Sequence, residues 1–87
     1  STADRTKWQA QRFYRQGLSK YGEKEFEAAL KLFQQALTIF QEIQDIENTV
    51  SVMKQITTTY SDLGNYPKAI DYLQQSLTIA RSRQNHQ

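Results

Sequence analysis

Apolar residues recur at helical spacing through most of the chain. Phe26, Ala29, Leu30, Phe33, Ala36, Leu37 and Phe40 follow one another at intervals of three and four, which places them on one face of a helix. Leu32, Ile39 and Ile43 form a second stripe beside the first. A helix apolar over so wide an arc, expected over about residues 26–44, belongs between two neighbours. Upstream, Ala10, Tyr14, Gly17, Leu18 and Tyr21 mark a helix over about 7–21, with Phe13 and Trp8 widening its face. Thr2 and Asp4 are its candidate N-caps. Downstream, Val50, Met53, Ile56, Tyr60 and Leu63 predict a helix over about 47–63, with Val52 to one side. Thr57, Thr58 and Thr59 are poor helix formers, but the periodicity around them outweighs their preference. Tyr66, Ala69, Ile70, Leu73, Leu77 and Ala80 predict a last helix over about 66–83, with fraying expected over 85–87.

The breaks between these segments are short: Gly22-Glu23-Lys24-Glu25, Gln44-Asp45-Ile46-Glu47 and Gly64-Asn65-Tyr66-Pro67. The last is the most explicit. Gly64 suits the left-handed residue that ends a helix, Asn65 suits the next N-cap, and Pro67 fits a first turn. Asp45 is the equivalent cap candidate at the second break. Mid-helix Gly17 costs about 1 kcal/mol relative to alanine, so it implies close approach by another helix.

The second and fourth segments are related. Phe26–Ile39 returns forty residues later as Tyr66–Ile79, with six of fourteen positions identical: Ala29/Ala69, Gln34/Gln74, Gln35/Gln75, Leu37/Leu77, Thr38/Thr78 and Ile39/Ile79. Self-similarity at such a period signals a helical solenoid. The positions resemble those of tetratricopeptide repeats. Small residues at Gly17, Ala29 and Ala36 surround a large apolar Phe33, and Thr57, Ala69, Ser76 and Leu73 take the same places in the second copy. Gly17 to Ala29 and Thr57 to Ala69 are both twelve apart, and Gly64-Asn65-Tyr66 is similar to the family's inter-helix turn. The forty-residue period resembles that of the tetratricopeptide arrays of kinesin light chain and of many bacterial regulatory proteins. The chain departs from the family in having Lys24 at the first inter-helix glycine position and no proline at Gln41 or Arg81. The resemblance implies an all-α fold of two helix-turn-helix repeats, about 7–44 and 47–83, four antiparallel helices forming one short right-handed superhelical domain over 1–87.

Composition narrows the chemistry. There is no cysteine among 87 residues, so disulfides and thiolate metal sites are excluded. Eleven cations against nine anions leave a net charge of +2, which calls for no acidic partner. No apolar run approaches the roughly 18–20 residues of a membrane span and no signal peptide is visible, so the expected location is cytoplasmic. The chain opens on Ser1 and not Met, which suggests a fragment or a processed form. The lone histidine, His86, is in the tail. No metal-spaced cluster, glycine-rich phosphate loop or catalytic constellation can be assembled, so the expectation is a protein that is not an enzyme and uses no cofactor or metal. Glu23, Glu25 and Glu27 gather where carboxylates suit a helix start. Arg5, Lys7, Arg12 and Arg15, with Trp8 and Tyr14 interleaved, read as a solvated helix face and not as a nucleic-acid stripe.

What remains is binding to another protein. The resemblance implies a concave groove lined by the first helices, which places Gln11, Tyr14, Arg15, Leu18 and Tyr21 opposite a peptide or helix together with Ser51, Lys54, Gln55, Thr58 and Ser61. Aromatic residues and arginine are frequent binding hot spots. Leu18 and Tyr21 belong equally well to the core. The family's carboxylate clamp is missing, since Tyr14, Leu18 and Gln55 stand at its positions. The last helix keeps an apolar set, Ile70, Tyr72, Leu77 and Ile79, mirroring Leu30, Leu32, Leu37 and Ile39. An apolar solenoid end implies stacking on neighbouring repeats of a longer array or self-association as a homodimer.

Overall fold

The computed structural model describes residues 1–85. It contains four helices, α1 (Thr2–Gly22), α2 (Phe26–Glu42), α3 (Ile46–Asp62) and α4 (Tyr66–Asn85), and no strand among the described residues. Each helix packs on the next: α1 on α2, α2 on α3, α3 on α4. His86 lies outside the described residues, and Asn85, expected to fray, is still helical. None of the helices is long and apolar enough to cross a membrane, among the described residues.

α1 starts at Thr2 and not near residue 7. Neither Thr2 nor Asp4 is its cap. The Asp4 backbone N–H donates to Ser1 Oγ at 3.3 Å, and the Asp4 side chain in turn meets the Ser1 hydroxyl and amine, closing a capping box. A polar first turn carries no apolar periodicity, so only the cap reveals it.

The three connections share one geometry at twenty-residue intervals. Lys24 (φ 62°), Gln44 (φ 59°) and Gly64 (φ 77°) are left-handed. Their N–H groups donate to the carbonyls of Tyr21, Gln41 and Ser61. The next residues, Glu25, Asp45 and Asn65, donate to Lys20, Phe40 and Tyr60, each at 2.9 Å. This is the paired-bond ending that satisfies orphan carbonyls at a helix C-terminus. Gly22 does not make the first turn; it is the last residue of α1, and a Cβ there would meet nothing within 4 Å. Asp45 and Asn65 then cap α3 and α4 by accepting from the N–H groups of Asn48 and Lys68, both at 3.2 Å. The threonine run stays helical because each hydroxyl bonds back one turn. Thr57, Thr58 and Thr59 donate to the carbonyls of Met53, Lys54 and Gln55 at 2.9, 3.1 and 2.8 Å.

The core is built around Phe33, which is fully buried with Ala10, Ala29, Ala36, Val52 and Ile56. Its ring packs directly against Gly17: a Cβ at residue 17 would stand 2.6 Å from two ring carbons. Tyr14 packs on the same ring with centroids 5.7 Å apart. Trp8, expected to widen this core face, is on the opposite side of α1, 54% exposed with the Arg12 guanidinium over its ring.

The second repeat has the same positions and a different fate. Leu30, Phe33 and Leu37 of α2 are 8%, 0% and 8% exposed, whereas Ile70, Leu73 and Leu77 of α4 are 53%, 42% and 42% exposed. α2 lies between α1 and α3, while α4 packs mainly on α3. The apolar set expected to form one open face is therefore divided. Ile70 and Leu77 face outward with Leu73 and Tyr66. Tyr72 and Ile79 pack against the core, Tyr72 stacking on Tyr60 at 5.8 Å. The reason is angular: residues 69, 72, 76 and 79 recur at three and four, and this is the face that meets α3, with Ala69 and Ser76 buried in it.

A side chain in the left-handed region costs about 1–2 kcal/mol more than glycine. Gln44→Gly is therefore expected to raise stability by about 1 kcal/mol and Gly64→Ala to lower it by a similar amount, read from urea midpoints at constant slope. Gly17→Val should lose about 1–3 kcal/mol by overpacking, despite valine's better helix propensity. Phe33→Leu, which copies the smaller partner at Leu73, should recover part of that loss in a double-mutant cycle.

Candidate protein-binding surface

α1 and α3 carry all ten residues expected to line the groove, and both ends of the two helices are joined across it. At one end the Lys7 ammonium stands 3.4 Å from the Asp45 carboxylate, which caps α3. At the other, the Tyr21 hydroxyl donates to the carboxylate of Asp62, the last residue of α3. These contacts hold the first helices side by side.

The ten positions do not behave alike. Arg15, Leu18, Ser51, Lys54 and Thr58 are exposed. Gln11, Gln55 and Ser61 are half-buried. Tyr14 and Tyr21 are also half-buried, and their rings are committed to packing: Tyr14 on Phe33, Tyr21 on Phe26 at 5.5 Å. Burial raises the Tyr14 pKa. The hydrogen bond to Asp62, then burial and the carboxylate charge, raise that of Tyr21. Both hydroxyls stay protonated through neutral pH, and that of Tyr21 acts as a donor to Asp62.

A hollow of about 310 Å³ takes in Ser51 and Lys54 with Glu47 and Val50 of α3, and Ala80, Arg83 and Gln84 of α4. It contains no residue of α1. Within it the Arg83 guanidinium donates to Glu47 at 3.0 Å. Glu47, Asp62 and Arg83 thus belong to this side of the molecule although none stood out in the sequence. Glu47 was traceable, being forty residues from Lys7, and Asp62 stands one turn beyond Thr58. Arg83 is a partner from the far end of the same repeat, which no local pattern reveals. The carboxylates of Asp45, Asp62 and Glu47 each have a partner, while Arg15 and Lys54 are exposed cations. The two ion pairs cancel, Asp62 keeps its negative charge because its partner is neutral, and Arg15 with Lys54 tips these groups to a small positive balance. Among the described residues no group of three His, Asp or Glu side chains could hold a metal ion.

Two helical hairpins that share core positions at a forty-residue offset, with their first helices side by side, define a short helical-repeat protein. The family model for the tetratricopeptide repeat matches residues 8–82, and the chain belongs to that family. No curated protein and no solved structure matches the chain. Tetratricopeptide repeats generally mediate interactions between proteins and form a non-enzymatic interaction fold.

The Asp45 carboxyl tests the link between α1 and the α2–α3 turn. Burial pushes its pKa up, but hydrogen bonds from Asn48 and the nearby Lys7 ammonium outweigh this and hold it below 3.8. A depressed carboxyl contributes stability above its unfolded pKa, and loses it as pH falls through the folded value. Stability should fall below about pH 4, and Asp45→Asn should flatten part of that limb. At neutral pH the variant should lose less than about 1 kcal/mol, because asparagine also caps and half-exposed ion pairs contribute little.

Proposed function

We propose that the chain is an interaction module that holds a peptide or helix of a partner protein along the face of α1 and α3. The observation that carries this reading is the state of the charges there. Asp62 and Glu47 are engaged by Tyr21 and Arg83, while Arg15 and Lys54 stand exposed on neighbouring helices. Leu18, 38% exposed, supplies an apolar contact beside them. Gln11, Gln55, Ser51 and Ser61 supply polar groups suited to an extended backbone. A ligand bearing carboxylates fits this arrangement better than a basic one. Tyr14 and Tyr21 act mainly by fixing the shape of the face, since their rings are part of the packing.

A second reading is favoured by the open side of α4. Tyr66, 62% exposed, joins Ile70, Leu73 and Leu77 in a contiguous apolar strip, the kind of patch that marks an association surface. In that reading the partners are further repeats or a second copy, and the first-helix face needs no ligand.

Selection of displayed peptides on the full chain separates the two. Acidic peptides should emerge, and Arg15→Glu/Lys54→Glu should weaken them at least tenfold, an effect of about 1.4 kcal/mol. Gln34→Glu/Gln35→Glu on exposed α2 positions should leave them unchanged. Selection that yields no sequence sensitive to the Arg15/Lys54 pair removes the groove reading and leaves assembly.

A further inference from the structure

The two ends of the stack differ in a way that decides how a second copy would fit. α3 covers α2 with Thr49, Val52, Met53 and Ile56, all buried. Forty residues earlier, α1 carries Gln9, Arg12, Phe13 and Gln16, of which only Phe13 is even half-buried. These four line a hollow of about 510 Å³ with Arg5 and Trp8. The surface that would have to receive an incoming apolar helix therefore sets two guanidinium groups around Trp8 and Phe13. Burying Arg5 and Arg12 against Ile70 and Leu73 of another molecule would strip both guanidinium groups of water with no carboxylate to meet them. Head-to-tail addition is disfavoured.

The strip on α4 is instead matched to itself. Tyr66, Ile70, Leu73, Leu77 and Ala80 are spaced four, three, four and three. Read backwards, the run is again alternating threes and fours, with Leu73 at its centre. An antiparallel copy about a two-fold axis at Leu73 sets Ile70 against the opposing Leu77, and Tyr66 against the opposing Ala80. The largest side chain meets the smallest. Arg81 falls beside the opposing Tyr66, a cation over an aromatic ring, and the two Arg81 groups lie at opposite ends of the contact, roughly 24 Å apart at 1.5 Å per residue. No carboxylate lies in the strip; Asp71 is on the far side of the helix. We propose that α4 pairs with α4 of a second copy of this chain in a closed, antiparallel two-fold contact centred on Leu73. This rests on the second reading above, that the α4 strip is an association surface. The strip offers on the order of 400 Å², below the standard of about 800 Å² per partner. The dimer is therefore weak, with a dissociation constant of roughly 10–100 µM, and at Ala80 it reaches the edge of the hollow that also takes in Ser51 and Lys54.

Sedimentation equilibrium of the full chain from about 10 µM to 1 mM tests this, with circular dichroism to confirm that each variant is folded; all substituted positions are exposed. The expected result is a mass that rises from one copy to two and stops there. Leu73→Glu should abolish pairing by placing two carboxylates on the axis, while Trp8→Ala/Arg12→Glu on the other end should not change it. Ala80→Tyr should weaken the dimer at least tenfold, and the exchange Tyr66→Ala/Ala80→Tyr should restore it, since the same pair then meets in reverse. A chain that stays monomeric throughout the range overturns both the association reading and the two-fold contact. A mass that grows beyond two copies and is suppressed by Trp8→Ala/Arg12→Glu keeps association and overturns the two-fold contact. A dimer that survives Leu73→Glu, or that the exchange fails to restore, overturns it as well.

Discussion

The Phe33 ring against the bare backbone of Gly17 sets the geometry of the whole stack. With no side chain at residue 17, α1 and α2 approach until the ring fills the gap. Full burial of such a ring stabilises the fold by about 1.5–3 kcal/mol, and a closely packed interior leaves little tolerance for displacement. The ring also fixes the height at which Ala29 and Ala36 let the neighbouring helices approach, all three being fully buried. Because α2 is held on one side by this contact, its other side is presented to α3 at a fixed angle. The relation of α3 to α1, and with it the whole first-helix face, follows from that angle.

The second repeat shows what happens when the contact is relaxed. Thr57 and Leu73 take the two places, Thr57 half-buried with its hydroxyl bonded back to Met53, Leu73 substantially open. The second hairpin holds instead through Tyr60 stacked on Tyr72, and through Ala69 and Ser76, whose hydroxyl donates to the Leu73 carbonyl at 2.8 Å. One sequence plan thus yields a tightly locked hairpin and a looser one.

The helices were legible because burial on a solenoid repeats with the helical period; Ala29, Phe33, Met53 and Ile56 fell where three-and-four spacing placed them, whereas Val52, set to one side of its face, is fully buried and Leu63, set on that face, is 40% exposed. Gly64 announced its turn because glycine is the residue suited to that conformation. Lys24 and Gln44 take up the same backbone shape without the residue type that signals it, so the twenty-residue rhythm of turns was hidden beneath the forty-residue repeat. The open face of α4 was half legible. Periodicity identifies a face only when one side is polar, and α4 has apolar residues both toward α3 and away from it, so Tyr72 and Ile79 could not be separated from Ile70 and Leu77 by pattern alone. Trp8 was misplaced for a related reason: a large apolar residue in an amphipathic helix is assigned inward by default. The ties of Tyr21 to Asp62 and of Arg83 to Glu47 depend on helices brought together in space, which no local spacing encodes.

The back-bonded threonines of α3 also determine what kind of hydrogen bond the first-helix face offers. Thr58 spends its only hydroxyl proton on the Lys54 carbonyl, so toward solvent it presents lone pairs and a methyl group. An amide N–H laid across Thr58 finds an acceptor there, whereas a carbonyl must turn to the Lys54 ammonium or the side-chain amide of Gln55. On this stretch of α3 the threonine hydroxyl is thus turned into an acceptor by the helix that carries it.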